Sequence, residues 1–388
     1  MLDVAAKTRP LISDLTKAGF TLDNEIDLGS NRWLAKNYEL GTIAHIDFGI
    51  DDVPADERIN ELLKAAIEAY DRAVDAPSVE PLTSEAVLND APISEPYGID
   101  NALAELFLDQ PAIERLLSIW AGKKNLIIQG APGVGKSYVA KHLAYLLLEA
   151  KDSARVEAVQ FHQSYSYEDF VQGYRPDGKG GFTLRDGVFY RFCEKAKLSP
   201  ERPHVFIIDE INRGNLSKIF GELMLLIEHD KRGPTWATSL TYSRPDEPRF
   251  FVPKNVYLLG MMNTADRSLS MVDYALRRRF AFSPLQPMFG SAKFRDFLLQ
   301  RGIPESVIAL IVTRMTALNQ AIAEDRANLG VGYRIGHSFF IPPEEFEYDP
   351  GWYRRVIETE IYPLLEEYWF DDPDKADTWR EQLLQTAP

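Results

Sequence analysis

The string Gly130-Ala131-Pro132-Gly133-Val134-Gly135-Lys136-Ser137 restricts the fold of this chain more than any other feature. An apolar run, NLIIQ, precedes it, and a helical run, YVAKHLAYLLLEA, follows it. Strand, glycine-rich loop and helix in that order are what a P-loop requires. The glycines let backbone N–H groups converge on phosphate oxygens, and the following helix presents its positive end. Lys136 can then reach the β- and γ-phosphates, and the Ser137 hydroxyl can ligate Mg²⁺.

Around this loop the chain alternates between strands and helices. Asn125–Gln129, Val156–Phe161, His204–Asp209 and Asn255–Met262 are short apolar runs bounded by polar or turn residues, with helical patterns between them. That alternation predicts a parallel sheet with crossover helices. After Pro287 the pattern is mainly helical, notably over Pro304–Asp325 and Trp352–Phe370. The expected fold is therefore α/β: a P-loop core over residues 99–286, with a helical domain over 287–388. Ahead of it, residues 1–76 read as a small α+β domain. In that domain Arg32–Leu40 and Thr42–Phe48 form a hairpin about Gly41, and Ile59 to Val74 form a helix. Residues 77–98, with Pro77, Pro81, Pro92 and Pro96, have linker composition.

Three further elements suit a nucleotide site. HVFIID ends in Asp209 and Glu210, at the carboxyl end of a strand, where open α/β sheets bind ligands. Asp209 would hold Mg²⁺ through water, and Glu210 would act as general base on the attacking water. NVYLLGMMNTADRS puts Asn263 at another strand end, able to bond the γ-phosphate or the lytic water. Asn263-Thr264-Ala265-Asp266 superficially matches the tetrapeptide by which small GTPases read guanine, but a strand end beside the acidic pair faces the γ-phosphate instead. Arg277, Arg278 and Arg279 form a basic run. In a ring of subunits, Arg278 and Arg279 could enter the neighbour's site and stabilise phosphoryl charge, an effect worth ~10³–10⁵ in rate.

Charge and cysteine content exclude some classes. The net charge is −15, and residues 1–100 hold 8 Lys and Arg against 20 Asp and Glu. An N-terminal part so acidic lacks the basic face of a free-standing DNA-binding domain. One cysteine, Cys193, leaves no internal disulfide and fits a reducing cytoplasm, as a small buried filler. No apolar run approaches the ~20 residues that span a bilayer, and the start, MLDVAAKTRP, is not a secretory signal. The histidines form no zinc-ligand spacing.

Several segments admit two readings. Tyr165, Tyr167, Phe170 and Tyr174 could stack on nucleic acid or pack an interface. His162, near Asn212, reads as a core or interface histidine. Residues 232–253 suggest a β-hairpin before the third motif strand. Arg334 and His337, in GYRIGHSFF, could approach the phosphates from the helical domain or serve packing.

Together, the P-loop, the acidic pair, Asn263 and the arginines, with a helical domain behind, resemble the AAA+ superfamily. Longer strings narrow the likeness: VQFHQSYSYEDFVQGYRP (159–176), DEINRGNLSKIFGELMLLIEHDKRG (209–233), MNTADRSLSMVDYALRRRFAF (262–282), GYRIGHSFF (332–340) and the ending PLLEEYWFDDPDKADTW. They resemble the motor subunit of McrBC methyl-directed restriction systems, over about residues 97–388 and not over 1–80. The resemblance implies Mg²⁺-dependent GTP hydrolysis, a homo-hexameric ring with a helical lid domain, and activation by an McrC-like endonuclease subunit acting on DNA. It also implies phosphate-binding roles for Gly130 to Ser137, metal and water roles for Asp209 and Glu210, and interface roles for Arg278 and Arg279. Asn263 to Asp266 match the family's motif linked to hydrolysis and to stimulation by the nuclease. Ser137 stands where threonine is commoner, and its hydroxyl suffices. The short acidic N-terminus departs from the larger modified-base reader of the best-known arrangement. The choice of GTP over ATP rests on the resemblance, because nothing in the P-loop reads the purine. An ATP-using remodelling ATPase of the MoxR kind is the rival expectation. A nucleotide-gated module without hydrolysis is opposed by intact Lys136, Asp209, Glu210 and Asn263.

Overall fold

The structure, a computed structural model, describes residues 95–176, 181–243, 248–265 and 277–385. The expected N-terminal domain, most of the linker and Asp266 lie outside the described residues.

Five parallel strands make the central sheet: β1 (Asn125–Gly130), β2 (Val156–Gln160), β3 (His204–Asp209), β4 (Val256–Asn263) and β5 (Ala281–Leu285). Their order is β2-β3-β4-β1-β5, so the P-loop strand sits between β4 and β5. Four of them fall on the four apolar runs. The fifth was not expected, because AFSPL is short and carries Ser283 and Pro284. Proline is tolerated there because β5 is an edge strand.

Inner strands of a parallel sheet are covered on both faces, which is why they read as unbroken apolar runs. Side chains alternate between those faces. Leu126, Ile128, Val205, Ile207, Leu259 and Met261 meet the helices Gln110–Lys123 and Lys136–Leu148, through Ile113, Trp120, Ala140 and Leu143. Ile127, Phe206, Ile208 and Leu258 meet the helix Val188–Lys197 on the other face, through Phe189, Phe192 and the fully buried Cys193. Each helix has a local reason to begin where it does. Asp109 caps the first, its carboxylate accepting from the Ala112 amide at 2.9 Å. Gly135, at φ 78°, turns the P-loop into the second.

The helical domain packs on its own core. Glu305–Glu324 is a 20-residue helix, long and apolar enough by length and composition to cross a membrane, which corrects the expectation that no such run exists. Here Val307, Ile308, Ile311, Met315, Leu318 and Ile322 along it are buried against Phe294, Phe340, Tyr353 and Trp369. The expected helix after Trp352 runs as Trp352–Val356, a π turn over Ile357–Ile361, and Tyr362–Tyr368. Pro363, which has no N–H to give the preceding turn, stands one residue beyond the π turn.

Among the described residues the expected hairpin within 232–253 is reduced to a single antiparallel bridge. Thr238 and Phe250 exchange both backbone bonds, at 2.8 and 2.9 Å. A second antiparallel pair joins Gln172–Pro176 to Phe182–Asp186.

Candidate functional site

The sheet register brings the predicted site residues to one edge. Gly130, at the end of β1, is the partner of Asn263 at the end of β4. On the other side of β4, Ile208 pairs with Gly260, so Asp209 and Glu210 emerge beside the same strand end. Acidic pair, asparagine and P-loop therefore share the carboxyl end of three adjacent strands.

Side chains there form a continuous chain. Lys136 Nζ donates to Asn263 Oδ1 at 2.5 Å and to the carbonyls of Gly130 and Ala131 at 3.1 and 3.0 Å. Asn263 Nδ2 donates to Glu210 Oε1 at 2.7 Å. The other Glu210 oxygen accepts no hydrogen bond and lies 3.3 Å from Arg213 Nε. One amide thus holds a cation and a carboxylate apart. Glu210 itself adopts φ 50° and ψ 44°, a left-handed conformation costing a non-glycine residue ~1–3 kcal/mol. Its amide is held by Asp209 Oδ1 at 2.9 Å, which fixes the turn presenting the carboxylate.

The loop is shaped to leave its cradle open. Gly133 and Gly135 have φ of 73° and 78°. A side chain on Gly130 would begin 2.7 Å from the Leu285 carbonyl, so β5 and the P-loop touch backbone to backbone. Ser137 is exposed at the start of its helix and Asp209 is only partly buried, so both oxygens are accessible. One hydroxyl and one carboxylate fit Mg²⁺, which takes few protein ligands and completes its shell with phosphate and water.

The helical domain closes directly on this loop. Gly336 N donates to Pro132 O at 2.9 Å, and Ser338 N to Gly133 O at 2.8 Å. Thr264 Oγ1 reaches Gly332 O at 2.8 Å. Of the two residues read as able either to approach the phosphates or to serve packing, His337 lies against the P-loop at Gly135, whereas Arg334 is tied to Gln286 at 2.8 Å. His337 is buried, its Nδ1 accepts from the Met288 amide at 3.1 Å, and burial pushes its pKa down to about 4. Because Nδ1 accepts, neutral His337 carries its proton on Nε2, the nitrogen facing Gly135.

The arginines divide. Arg278 is 68% exposed and shares Glu228 with its neighbour, at 3.0 Å. Arg279, expected at the subunit edge, is 8% exposed. Its Nη2 pairs with Glu228 at 2.8 Å and its Nε donates to Met224 O at 2.5 Å. Arg279 therefore braces its own fold, whereas Arg278, like Arg277, is exposed.

The aromatic string also divides. Phe170 is fully buried and stacks on Phe189, Tyr165 packs on Phe161, and Tyr167 bonds Glu222 at 2.7 Å. Tyr174 alone among the four is exposed. His162 is exposed rather than in the core, and the buried Asn212 keeps an unpartnered Oδ1.

A cavity of about 480 Å³ adjoins the P-loop at Gly135 and Tyr138, walled by Leu106, Leu108, Met288, Phe297 and Ile341. No sequence signal marked it, because its apolar walls come from three distant segments. A mostly apolar recess next to a phosphate loop is where a purine would lodge.

Comparison with known proteins agrees with this geometry. Residues 125–280 match the AAA domain family (dynein-related subfamily) and residues 310–377 the McrB alpha-helical lid domain. The type IV methyl-directed restriction enzyme EcoKMcrB subunit of Escherichia coli is 54% identical over 293 residues. The chain is an McrB-like AAA protein. It spans 64% of that relative's length, and 75% of its own residues align. The type II restriction enzyme BsuMI component YdiS of Bacillus subtilis is 27% identical over 42% of the chain and 57% of the relative. Residues 1–75, which the sequence resemblance left uncovered, match the MrcB-like N-terminal domain.

Proposed function

We propose that this McrB-like chain is the GTP-hydrolysing motor of an McrBC-type restriction system. It works as a homo-hexameric ring that drives DNA translocation and cleavage by a separate McrC-like endonuclease subunit. The observation that carries this reading is the Lys136–Asn263–Glu210 chain at the strand ends, in a protein 54% identical to a restriction-enzyme subunit.

The residues divide the work as follows. The backbone of Gly130 to Gly135 cradles the phosphates, and Lys136 leaves Asn263 to bind the β- and γ-phosphate oxygens. Ser137 and Asp209 would hold Mg²⁺, which would neutralise charge on the phosphates. Asn263, released by Lys136, keeps its bond to Glu210 and orients the water. Glu210 takes the water's proton, and its strained, partly buried turn aims the carboxylate in advance. Arg278 of a neighbouring subunit supplies the external cation. Thr264 and Ala265 couple the strand end to the lid loop, and Asp266 is assigned to the same hydrolysis motif.

The test is reconstitution with the McrC-like subunit on DNA carrying or lacking modified cytosines. GTP-dependent cleavage, lost in Glu210→Gln, supports the reading. Remodelling of a protein substrate with ATP and no effect of the nuclease subunit would replace it with the remodelling ATPase.

A further inference from the structure

The helical domain seals the P-loop at one glycine and leaves a gap at another. At Gly133 the seal is tight: a side chain there would start 2.5 Å from the Phe339 ring and 3.1 Å from Ser338 Oγ. At Gly135, chain neighbours apart, a Cβ would meet only His337 Nε2 within 4 Å, at 3.8 Å. One ring nitrogen of the helical domain thus stands across an open space from the last glycine of the loop.

That nitrogen is set as a donor. The Met288 amide occupies Nδ1 at 3.1 Å, so the proton of the neutral ring sits on Nε2. Phe107, Phe294 and Phe289 surround the ring, with centroids 5.3, 5.9 and 6.5 Å away, and His337 is 6% exposed. Nε2 makes no hydrogen bond with the described residues, and a donor in so apolar a place is costly to leave unmatched.

A nucleotide brings the missing acceptor. The loop and Lys136 take the β- and γ-phosphates, and the cavity lined by both Gly135 and His337 suits the purine. The α-phosphate joins those two parts. Its non-bridging oxygens carry charge and only accept, which suits an N–H that has no lone pair to offer.

We propose that His337 is a nucleotide-binding residue whose Nε2–H donates to an α-phosphate oxygen across the gap at Gly135. Through it the helical domain closes on the nucleotide as well as on the loop. The inference deepens the GTP reading and rests on it.

The experiment measures equilibrium binding to the full chain, with Mg²⁺, of GTP, 2′-deoxy-GTP and the two diastereomers of GTPαS. In each diastereomer sulfur, a poorer acceptor, replaces a different α-oxygen. His337→Phe keeps a ring among the phenylalanines, and His337→Asn keeps an acceptor for the Met288 amide; neither offers the donor. Both variants are expected to weaken GTP binding at least ~10-fold. Both are also expected to change the ratio of affinities for the diastereomers at least ~3-fold, since only one oxygen faces Nε2. His337→Gln, whose amide N–H reaches the place of Nε2, is expected to bind GTP within about 3-fold of wild type. If a variant weakens GTP and both diastereomers by one common factor, the ring only packs the loop and the inference is overturned. A changed ratio of GTP to 2′-deoxy-GTP with an unchanged diastereomer ratio also overturns it, because the ribose is then what His337 holds. Wild type that does not bind GTP overturns the GTP reading itself, a result distinct from an unchanged diastereomer ratio in a chain that binds it.

Discussion

Asn263→Asp changes no atom positions at the centre of the site, yet it is expected to stop turnover. The amide now donates to Glu210 at 2.7 Å and accepts from Lys136 at 2.5 Å. Replacing it with a carboxylate turns the first contact into repulsion of ~6 kcal/mol at an effective dielectric of ~20. The second becomes an attraction of ~6–7 kcal/mol on the same scale. These nearly cancel, so folding stability should hardly move. Function has no such cancellation. Lys136 is pinned away from the phosphates, and the paired carboxylates share a proton, which removes the general base at neutral pH. Loss of a positioned base alone costs ~10²–10⁴ in rate. The assay is steady-state hydrolysis from pH 6 to 9 beside a thermal melt. The variant should fall at least ~100-fold at pH 7 and recover partly as pH rises, with its melting temperature near wild type. Turnover within a few-fold of wild type at pH 7, or a flat pH profile, would refute the bridging role of Asn263.

Other expectations follow from the same geometry. Arg278→Ala should leave the melting temperature unchanged while reducing hydrolysis in the assembled ring by ~10³-fold or more. Arg279→Ala should destabilise the fold by ~1–3 kcal/mol, because it leaves the Met224 carbonyl without its donor and Glu228 with only the exposed Arg278; equal melting temperatures for the two variants would contradict the division drawn between them. Gly336→Ala should prevent the lid loop from seating, since its Cβ would start 1.9 Å from the Gly133 carbonyl carbon. Nucleotide binding and melting temperature should drop together, and a variant that binds normally would show that the lid loop does not bear on the P-loop. His337 is held neutral, with its folded pKa of about 4 below the usual histidine value. The stability this gives is present above ~pH 6.5 and is lost as pH falls towards 4, ~3 kcal/mol at most. His337→Gln should therefore lose less stability than wild type between pH 7 and 5, as read by denaturant midpoints.

What was legible in the sequence was whatever one local segment encodes. The P-loop carries its own backbone demands, and the inner strands announce themselves as unbroken apolar runs because parallel sheets bury both faces. Asp209, Glu210 and Asn263 could be placed because each ends such a run. What was not legible depends on partners distant in sequence. AFSPL becomes a strand only because it edges β1, where Pro284 is harmless. Arg279 looks like its neighbour Arg278 until Glu228 and the Met224 carbonyl close around it. The cavity beside the P-loop draws on residues 105–108, 134–139 and 285–344, which only the fold brings together. The helix Glu305–Glu324 is apolar enough to mislead any rule based on composition. Its burial is decided by Phe294, Phe340, Tyr353 and Trp369, which only the fold brings near.

The most direct test of the central claim is steady-state turnover of GTP and ATP side by side, with Glu210→Gln as control and the McrC-like subunit added. A motor of the proposed kind turns over GTP in preference, accelerates with the subunit and falls silent in the variant. Preference for ATP, with no response to the subunit, would contradict the account.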